Sequence, residues 1–359
     1  MSKFYTATVT EVRRETRDTV SIALSLPEED AKYFVFKQGQ YLTFKLLLNG
    51  EEIRRTYSIC SAPFEDEIRV AVKKIEGGKF STYANEVLKP GDTLEVMPPM
   101  GNFYTELKPE QAKNYLAFAA GSGITPILSL IKTTLATEPQ STFTLIYGNK
   151  GSATIIFKEE LEALKNKYLN RFVLYHVFSR EAVDIPLMNG RIDGEKCRLF
   201  CKTLIDLESI DEVFLCGPGE MTLAVSTTLE SLGYNKKHIH QELFTAPGSA
   251  AGAQQKKEIK KEFAGDVSHV TVVLDGKQTH FDLATEGSNI LDAALQHGAD
   301  VPFACKGAVC ATCKAKVTEG KVEMELNYSL TDEELAAGYV LTCQSHPVTE
   351  HVVVSFDEA

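Results

Sequence analysis

At 359 residues the chain is too long for one ordinary domain and has room for two or three. Its 43% hydrophobic and 24% charged residues describe globular protein. No run approaches the ~18 apolar residues of a membrane span. The start, MSKFYTATVTEVRRETRDTV, alternates like a strand and lacks a signal-peptide core. A cytoplasmic chain with no membrane partner is expected, where clustered thiols favour metal or redox chemistry over disulfides. The formal charge of −11 is uneven. From Asp266 onward 15 acidic residues stand against 5 lysines, leaving residues 1–265 nearly neutral. That argues against nucleic acid and for a protein partner with a basic docking surface. A solvated acidic face that only aids solubility is the plainer alternative.

Residues 1–107 read as all-β. Alternating runs such as YLTFKLLL (41–48) and IRVAVKKI (68–75) are broken by NGEE, KPGD and PPMG turns, the pattern of a small antiparallel barrel. Within it RRTYSIC carries Arg55, Tyr57 and Ser58 at a strand end. A guanidinium there can pair with pyrophosphate, a phenol ring can stack on a flavin, and a hydroxyl can reach the flavin's reactive nitrogen. An ordinary strand with a packed tyrosine would look the same. In EGGKFST, Gly77 and Gly78 free the backbone before Ser81, which suits a phosphate at a helix N-terminus.

From 108 to 245 apolar runs at 115–120, 143–147, 172–178 and 213–217 alternate with helical stretches such as ILSLIKTTLA, which implies a parallel, doubly wound sheet. YLAFAAGSGITPILSL reads as strand, glycine turn and helix. Gly121 and Gly123 permit close backbone approach, Thr125 is expected to cap the helix and Pro126 to sit in its first turn. Such an N-terminus is an anion site for a dinucleotide pyrophosphate. Later strands end in Tyr147-Gly148-Asn149, in Ser179-Arg180, and in Cys216-Gly217-Pro218, at the C-terminal edge where doubly wound sheets bind ligands. The small-residue and lysine-rich segment 246–265 reads as a linker.

Residues 266–359 open with a hairpin turning at Asp275-Gly276. CKGAVCATC then places Cys305, Cys310 and Cys313 within nine residues, and Cys343 follows in YVLTCQSHP. This C-x4-C-x2-C spacing with a distant fourth cysteine is the plant-type arrangement for a 2Fe–2S cluster. Gly307, Ala308 and Ala311 are small enough for backbone N–H groups to approach the sulfurs, and SNILDAALQHG reads as a helix beneath the loop. A zinc site would more typically show paired C-x2-C knuckles. The remaining Cys60, Cys197, Cys201 and Cys216 are by default small core hydrophobes, with Cys216, at a strand end, the exception.

R-x-Y-S, G-S-G-I-T-P and C-G-P, in this order, resemble the ferredoxin–NADP reductase superfamily over essentially the whole chain. The C-terminal cysteine motif narrows the resemblance to reductase components of bacterial oxygenases. Within these, CKGAVCATCKAKVTEGKVEMELNYSL and AGYVLTCQSHP are most similar to the subfamily serving phenylacetyl-CoA epoxidases in phenylacetate degradation. The resemblance implies an FAD-binding antiparallel β-barrel (1–107), an α/β doubly wound nicotinamide domain (108–245), and an α+β, β-grasp-like ferredoxin domain (266–359).

It further implies that Arg55, Tyr57 and Ser58 hold the flavin, with Gly78 and Ser81 near its pyrophosphate. Gly121, Gly123, Thr125 and Pro126 would line the dinucleotide phosphates, and Cys216, Gly217 and Pro218 the nicotinamide. Glu242 and Phe244 would stand near the flavin ring, although Phe244 could equally be core. Ser179-Arg180 resembles the 2′-phosphate clamp of NADPH-using members but also occurs in NADH users, so NADPH is expected and NADH stays open. A helix-capping serine beside a solvated arginine is the bland reading of that pair. Electrons would pass from NADPH through FAD and 2Fe–2S to an oxygenase, phenylacetyl-CoA epoxidase foremost. Another oxygenase, a small acceptor reduced without a partner, or a non-enzymatic redox sensor are the alternatives.

Overall fold

The computed structural model describes residues 3–244 and 259–358. Phe4–Phe244 form one compact unit and the described residues from Ile259 onward belong to a second.

The first unit begins with β1 (Tyr5–Thr16), β2 (Thr19–Ser25), a short α1 (Glu28–Ala31), β3 (Tyr41–Leu48) and β4 (Glu51–Ser58). β5 (Ile68–Lys73), α2 (Lys79–Glu86) and β6 (Thr93–Val96) follow. Period-two alternation sets the inner face: Tyr5, Ala7 and Val9 are buried while Thr6, Thr8 and Thr10 are exposed. The strands pair antiparallel in the order β4-β3-β6-β1-β2-β5. An antiparallel bridge between Ile59 and Val70 joins the two ends, so the sheet closes on itself as a barrel. At the β3–β4 turn Asn49 and Gly50 both take positive φ, 53° and 81°, as a type I′ hairpin requires.

β7 (Asn114–Ala120), α3 (Ile124–Thr137), β8 (Thr142–Asn149), α4 (Lys158–Lys167) and β9 (Phe172–Phe178) come next. They are followed by α5 (Gly194–Thr203), β10 (Glu212–Gly217), α6 (Gly219–Ser231) and β11 (Ile239–Leu243). All five strands are parallel, in the order β11-β10-β7-β8-β9. The chain winds outward from β7 to β9, then returns to β10 beside β7 and winds the other way. That reversal opens a crevice at the C-terminal ends of β7 and β10.

Barrel and sheet share a core: Cys60, Ala71 and Phe103 pack in one cluster with Ile127, Leu128, Phe214 and Cys216. Across the same seam Ser129 Oγ donates to the Ser61 carbonyl (2.6 Å). Lys132, buried on α3, pairs with Glu65 (3.0 Å) and Glu160 (2.5 Å).

In the second unit β12 (Ser268–Leu274) and β13 (Lys277–Leu283) form the expected hairpin, with positive φ at Asp275 and Gly276. α7 (Ile290–Gln296), β14 (Lys314–Glu319), β15 (Val322–Met324) and α8 (Asp332–Ala336) follow, then β16 (Tyr339–Leu341), β17 (Ser345–Pro347) and β18 (His351–Ser355). The mixed sheet β13-β12-β18-β14-β16 places β12 and β18 parallel at its centre and packs Ile290, Leu291, Ala293 and Ala294 of α7 in its core. Of the segment read as a linker, 246–258 lies outside the described residues. Its remainder is tied to this unit, where the Glu262 N–H donates to the Val348 carbonyl (2.7 Å) and its carboxylate pairs with Lys321 (2.9 Å).

At the opposite end of the parallel sheet from the crevice, Glu212 joins β10 to its neighbours. It meets Lys113 (2.8 Å), His240 Nε2 (2.9 Å) and His238 Nδ1 (3.3 Å). Burial works against its charge, but the hydrogen bonds from His240 and Lys113 prevail and hold it down to about 2. A depressed carboxylate stabilises the fold above its unfolded pKa, and that stabilisation is lost as pH falls toward 2. Glu212→Gln is therefore expected to lower the stability of this unit at pH 7 by roughly 2 kcal/mol. It should also flatten the acid limb below pH 5, measured by circular dichroism in urea at stepped pH.

Candidate cofactor cleft and cysteine loop

The crevice gathers residues from both layers of the first unit. β7 runs into a tight turn, Gly121–Gly123, and then into α3. Gly121 has φ +54° and open space where a Cβ would stand. Gly123 has the reverse constraint: a Cβ would lie 2.1 Å from the Cys216 carbonyl oxygen, so only glycine lets α3 seat on β10. Thr125 does not cap this helix. The tight turn starts the coil earlier, so Thr125 lies inside the first turn, where its hydroxyl donates back to the Ser122 carbonyl (3.0 Å). Pro126 follows it in that turn, buried.

Cys216, next to last in β10, has its side chain in the shared core, where burial raises its thiol pKa well above the ordinary range. Gly217 packs against Ala120 and Met221, and Pro218 is the residue before α6. Register sets Glu242 on β11 beside Cys216 and Ala119 on β7 on its other side.

The barrel reaches the same crevice through Ser58, at the end of β4. Its hydroxyl donates to Glu242 Oε2 at 2.8 Å. Glu242 is half-buried, and desolvation pushes its carboxyl up to about 7 against the Ser58 hydrogen bond, which favours the charged form. Along the same strand Tyr57 lies against Phe80 of α2 at 5.2 Å, the rings tilted by 33°, and meets Phe44 edge-on at 5.9 Å. Arg55 is exposed, with one guanidinium nitrogen donating to the Arg54 carbonyl (2.7 Å). Gly78 precedes α2, and Ser81 in its first turn donates to the Gly78 carbonyl (3.2 Å). Phe80 escaped the sequence reading, since one aromatic in a glycine-rich turn carries no period.

Ser179 and Arg180 follow β9, their N–H groups bonded to the carbonyls of Asn149 and Lys150 (both 2.9 Å). Ser179 caps no helix: its hydroxyl also donates to the Asn149 carbonyl (3.3 Å), and Arg180 is exposed. Phe244 is 38% exposed and so is not a core residue.

In the second unit the four cysteines form two pairs. Cys305 and Cys310 share a hydrogen bond, as do Cys313 and Cys343. The Cys310 thiol, then the Gly307, Val309 and Cys310 N–H groups, draw Cys305 down to about 6 against its burial, while its partner is pushed up. The Gly307 N–H lies 3.3 Å from Cys305 Sγ. The loop's left-handed turns fall on non-glycine residues: Lys306, Ala308 and Ala311 take positive φ (51°, 64° and 52°), which costs a non-glycine residue about 1 kcal/mol or more each. Among the described residues no three His, Cys, Asp or Glu side chains converge as ligands of a single metal ion. Two thiol pairs fit the two irons of a 2Fe–2S cluster, each taking two cysteine sulfurs. Gln344 was not anticipated. Buried beside Cys343, its amide reaches toward Sγ (3.6 Å) and the Lys306 carbonyl (3.3 Å).

Two outcomes follow from this geometry. A raised carboxyl favours folding while it is protonated, and that contribution is lost as pH rises from the unfolded value toward 7. Glu242→Gln should thus stabilise the first unit by roughly 1–2 kcal/mol at pH 8 and hardly at all at pH 4. Calorimetric Tm at the two pH values checks this. Removing the amide near sulfur in Gln344→Leu should leave the cluster assembled but move its reduction potential to a more negative value. A redox titration followed by electron paramagnetic resonance reads that shift.

Three family models match in order: the oxidoreductase FAD-binding domain over residues 6–104, the oxidoreductase NAD-binding domain over 118–227, and the 2Fe-2S iron-sulfur cluster binding domain over 272–348. The chain is 49% identical over 357 residues to one of the subunits of the 1,2-phenylacetyl-CoA epoxidase of Escherichia coli (strain K12), covering 99% of each. It is 34% identical over 352 residues to the ferredoxin reductase component of 3-ketosteroid-9-alpha-monooxygenase of Rhodococcus rhodochrous, covering 97% of this chain and 96% of that one. Among solved structures, phthalate dioxygenase reductase shares the fold, with a TM-score of 0.58 at 22% identity over 98% of each chain. The chain belongs to the family of oxygenase reductase components, NAD(P)H-dependent oxidoreductases that join FAD-binding, nicotinamide-binding and 2Fe–2S domains in one polypeptide.

Proposed function

We propose that this chain is the cytoplasmic reductase of a phenylacetyl-CoA epoxidase, taking electrons from NADPH and delivering them through FAD and 2Fe–2S to the oxygenase. The observation that supports this reading is the meeting of Ser58 from the barrel with Glu242 from the sheet, at the crevice beside Gly121 and Cys216. The end-to-end 49% identity supports the partner. The bound flavin would accept a hydride and release electrons singly, and the cluster would carry one at a time.

The chain's own residues supply position and electrostatics. Tyr57, backed by Phe80, offers a ring for the flavin to stack on, and Arg55 a guanidinium for its pyrophosphate, with Gly78 and Ser81 at the start of α2. The Ser58 hydroxyl donates a hydrogen bond to Glu242, which leaves its oxygen lone pairs available to the cleft. With its carboxyl near 7, Glu242 holds a proton part of the time at neutral pH. Gly121, Gly123, Thr125 and Pro126 shape the helix start that would receive the dinucleotide phosphates, and Cys216, Gly217 and Pro218 the floor beneath the nicotinamide. Cys305, Cys310, Cys313 and Cys343 would hold the cluster. Functional modules at 1–107, 108–245 and 266–359, joined through 246–265, accord with the three family matches. The acidic excess after Asp266 favours an oxygenase with a basic docking surface.

Arg180 is proposed as the 2′-phosphate contact, because its guanidinium is exposed at the sheet's C-terminal edge. Anaerobic titration with NADPH should bleach both flavin and cluster bands, to about three electrons per chain by their two-plus-one capacity. Arg180→Ala should cut kcat/KM for NADPH roughly 10- to 100-fold and leave NADH nearly unchanged, from a lost charge-assisted contact. Equal losses with both donors would remove the clamp reading. Added epoxidase components should make NADPH oxidation depend on phenylacetyl-CoA, and fast turnover of a small acceptor alone would favour the stand-alone reductase.

A further inference from the structure

Tyr147, on β8, is fully buried, and its hydroxyl donates to the Gly121 carbonyl at 3.0 Å. Its oxygen lies beside the Ile156 N–H and the Asn149 side chain, and its ring packs near His176 at 6.0 Å. Gly121 is the residue whose positive φ opens the turn after β7. Its carbonyl also accepts from the Ile124 N–H, so two donors engage that oxygen and restrain its peptide plane. In a trans peptide the following N–H points opposite the carbonyl. Drawing Gly121 O toward the core therefore turns the Ser122 N–H outward, and at a helix start that group has no partner within the helix.

The geometry points to Tyr147 as a positioning residue that aims the Ser122 N–H at the pyrophosphate of the bound nicotinamide dinucleotide. This rests on the reading of the Gly121 turn as the dinucleotide phosphate site. A purely apolar core position would be served by phenylalanine. The phenol adds one buried hydroxyl, and its hydrogen bond goes to the peptide that shapes the turn. Because the pyrophosphate is common to NADP and NAD, the effect of Tyr147 falls on both, unlike that of a 2′-phosphate contact.

The test is Tyr147→Phe in the cofactor-loaded full chain, with dissociation constants for NADP+ and NAD+ and steady-state KM and kcat for NADPH with ferricyanide as acceptor. Both dissociation constants and the KM should rise by about 5–10-fold, the effect of one lost hydrogen bond. In the same variant kcat should stay within about twofold by the same reasoning, with flavin content and Tm close to those of the unsubstituted protein. Unchanged dissociation constants, or a lower kcat with binding intact, would overturn the inference. Gly121→Ala provides an independent arm, keeping the tyrosine but straining the turn at its positive φ. It should weaken both nucleotides at least as much, and wild-type binding there would also overturn the inference. If the unsubstituted protein binds neither nucleotide, the phosphate-site reading itself fails; if it binds both and Tyr147→Phe binds equally well, only the role of Tyr147 falls.

Discussion

Hydride transfer requires two rings in near contact, so the surfaces that carry them must be fixed relative to each other. In the first unit this is met by a common core. Cys60, Ala71 and Phe103 from the barrel are packed among Phe214, Cys216 and the inner face of α3. Cys216 thus belongs both to the core that joins the layers and to the last residues of β10 at the crevice. The Ser58–Glu242 hydrogen bond closes the same junction at its rim. A looser linkage of barrel and sheet would leave both half-sites intact and the distance between them undefined.

Glu242 shows what such a junction costs. A carboxyl desolvated enough to titrate near 7 stabilises the folded state less when charged than an amide of the same shape would. Glu212, in the same sheet, is the opposite case: two histidines and a lysine surround it, and its charge is favoured. The two acids lie at opposite ends of neighbouring parallel strands, one anchoring the sheet and one meeting the barrel.

The cysteine loop stores its cost in the backbone. Three non-glycine residues in left-handed conformation within six positions are unfavourable unless surroundings compel them. The arrangement that results brings N–H groups toward Cys305 and Cys343, the sulfur environment that governs a cluster's potential. Small side chains at Ala308 and Ala311 make the conformation sterically bearable.

Much of this was legible in the residues alone. Strand periods in 41–48 and 68–75, the alternation of apolar runs with helices, and the C-x4-C-x2-C spacing are local signals, because they report on neighbours along the chain. The turn at Gly121 was equally legible, since backbone freedom is a property of glycine itself. The helix cap assigned to Thr125 was not: where α3 begins depends on how the turn packs against β10, a strand nearly a hundred residues later. For the same reason Phe244 could not be sorted between core and cleft, nor Ser179 between capping and strand-end bonding. What the sequence determined by itself was the inventory: three cofactor motifs in order, the acidic excess after Asp266, and the elements carrying each. Only the tertiary structure decided the pairings. It set Ser58 against Glu242 across 184 positions, Phe80 behind Tyr57, Tyr147 beneath Gly121, and the four thiols in two couples. Local periodicity reflects how a segment meets water, whereas these contacts arise from chain closure over long separations, where packing geometry selects among many partners of the same chemical type.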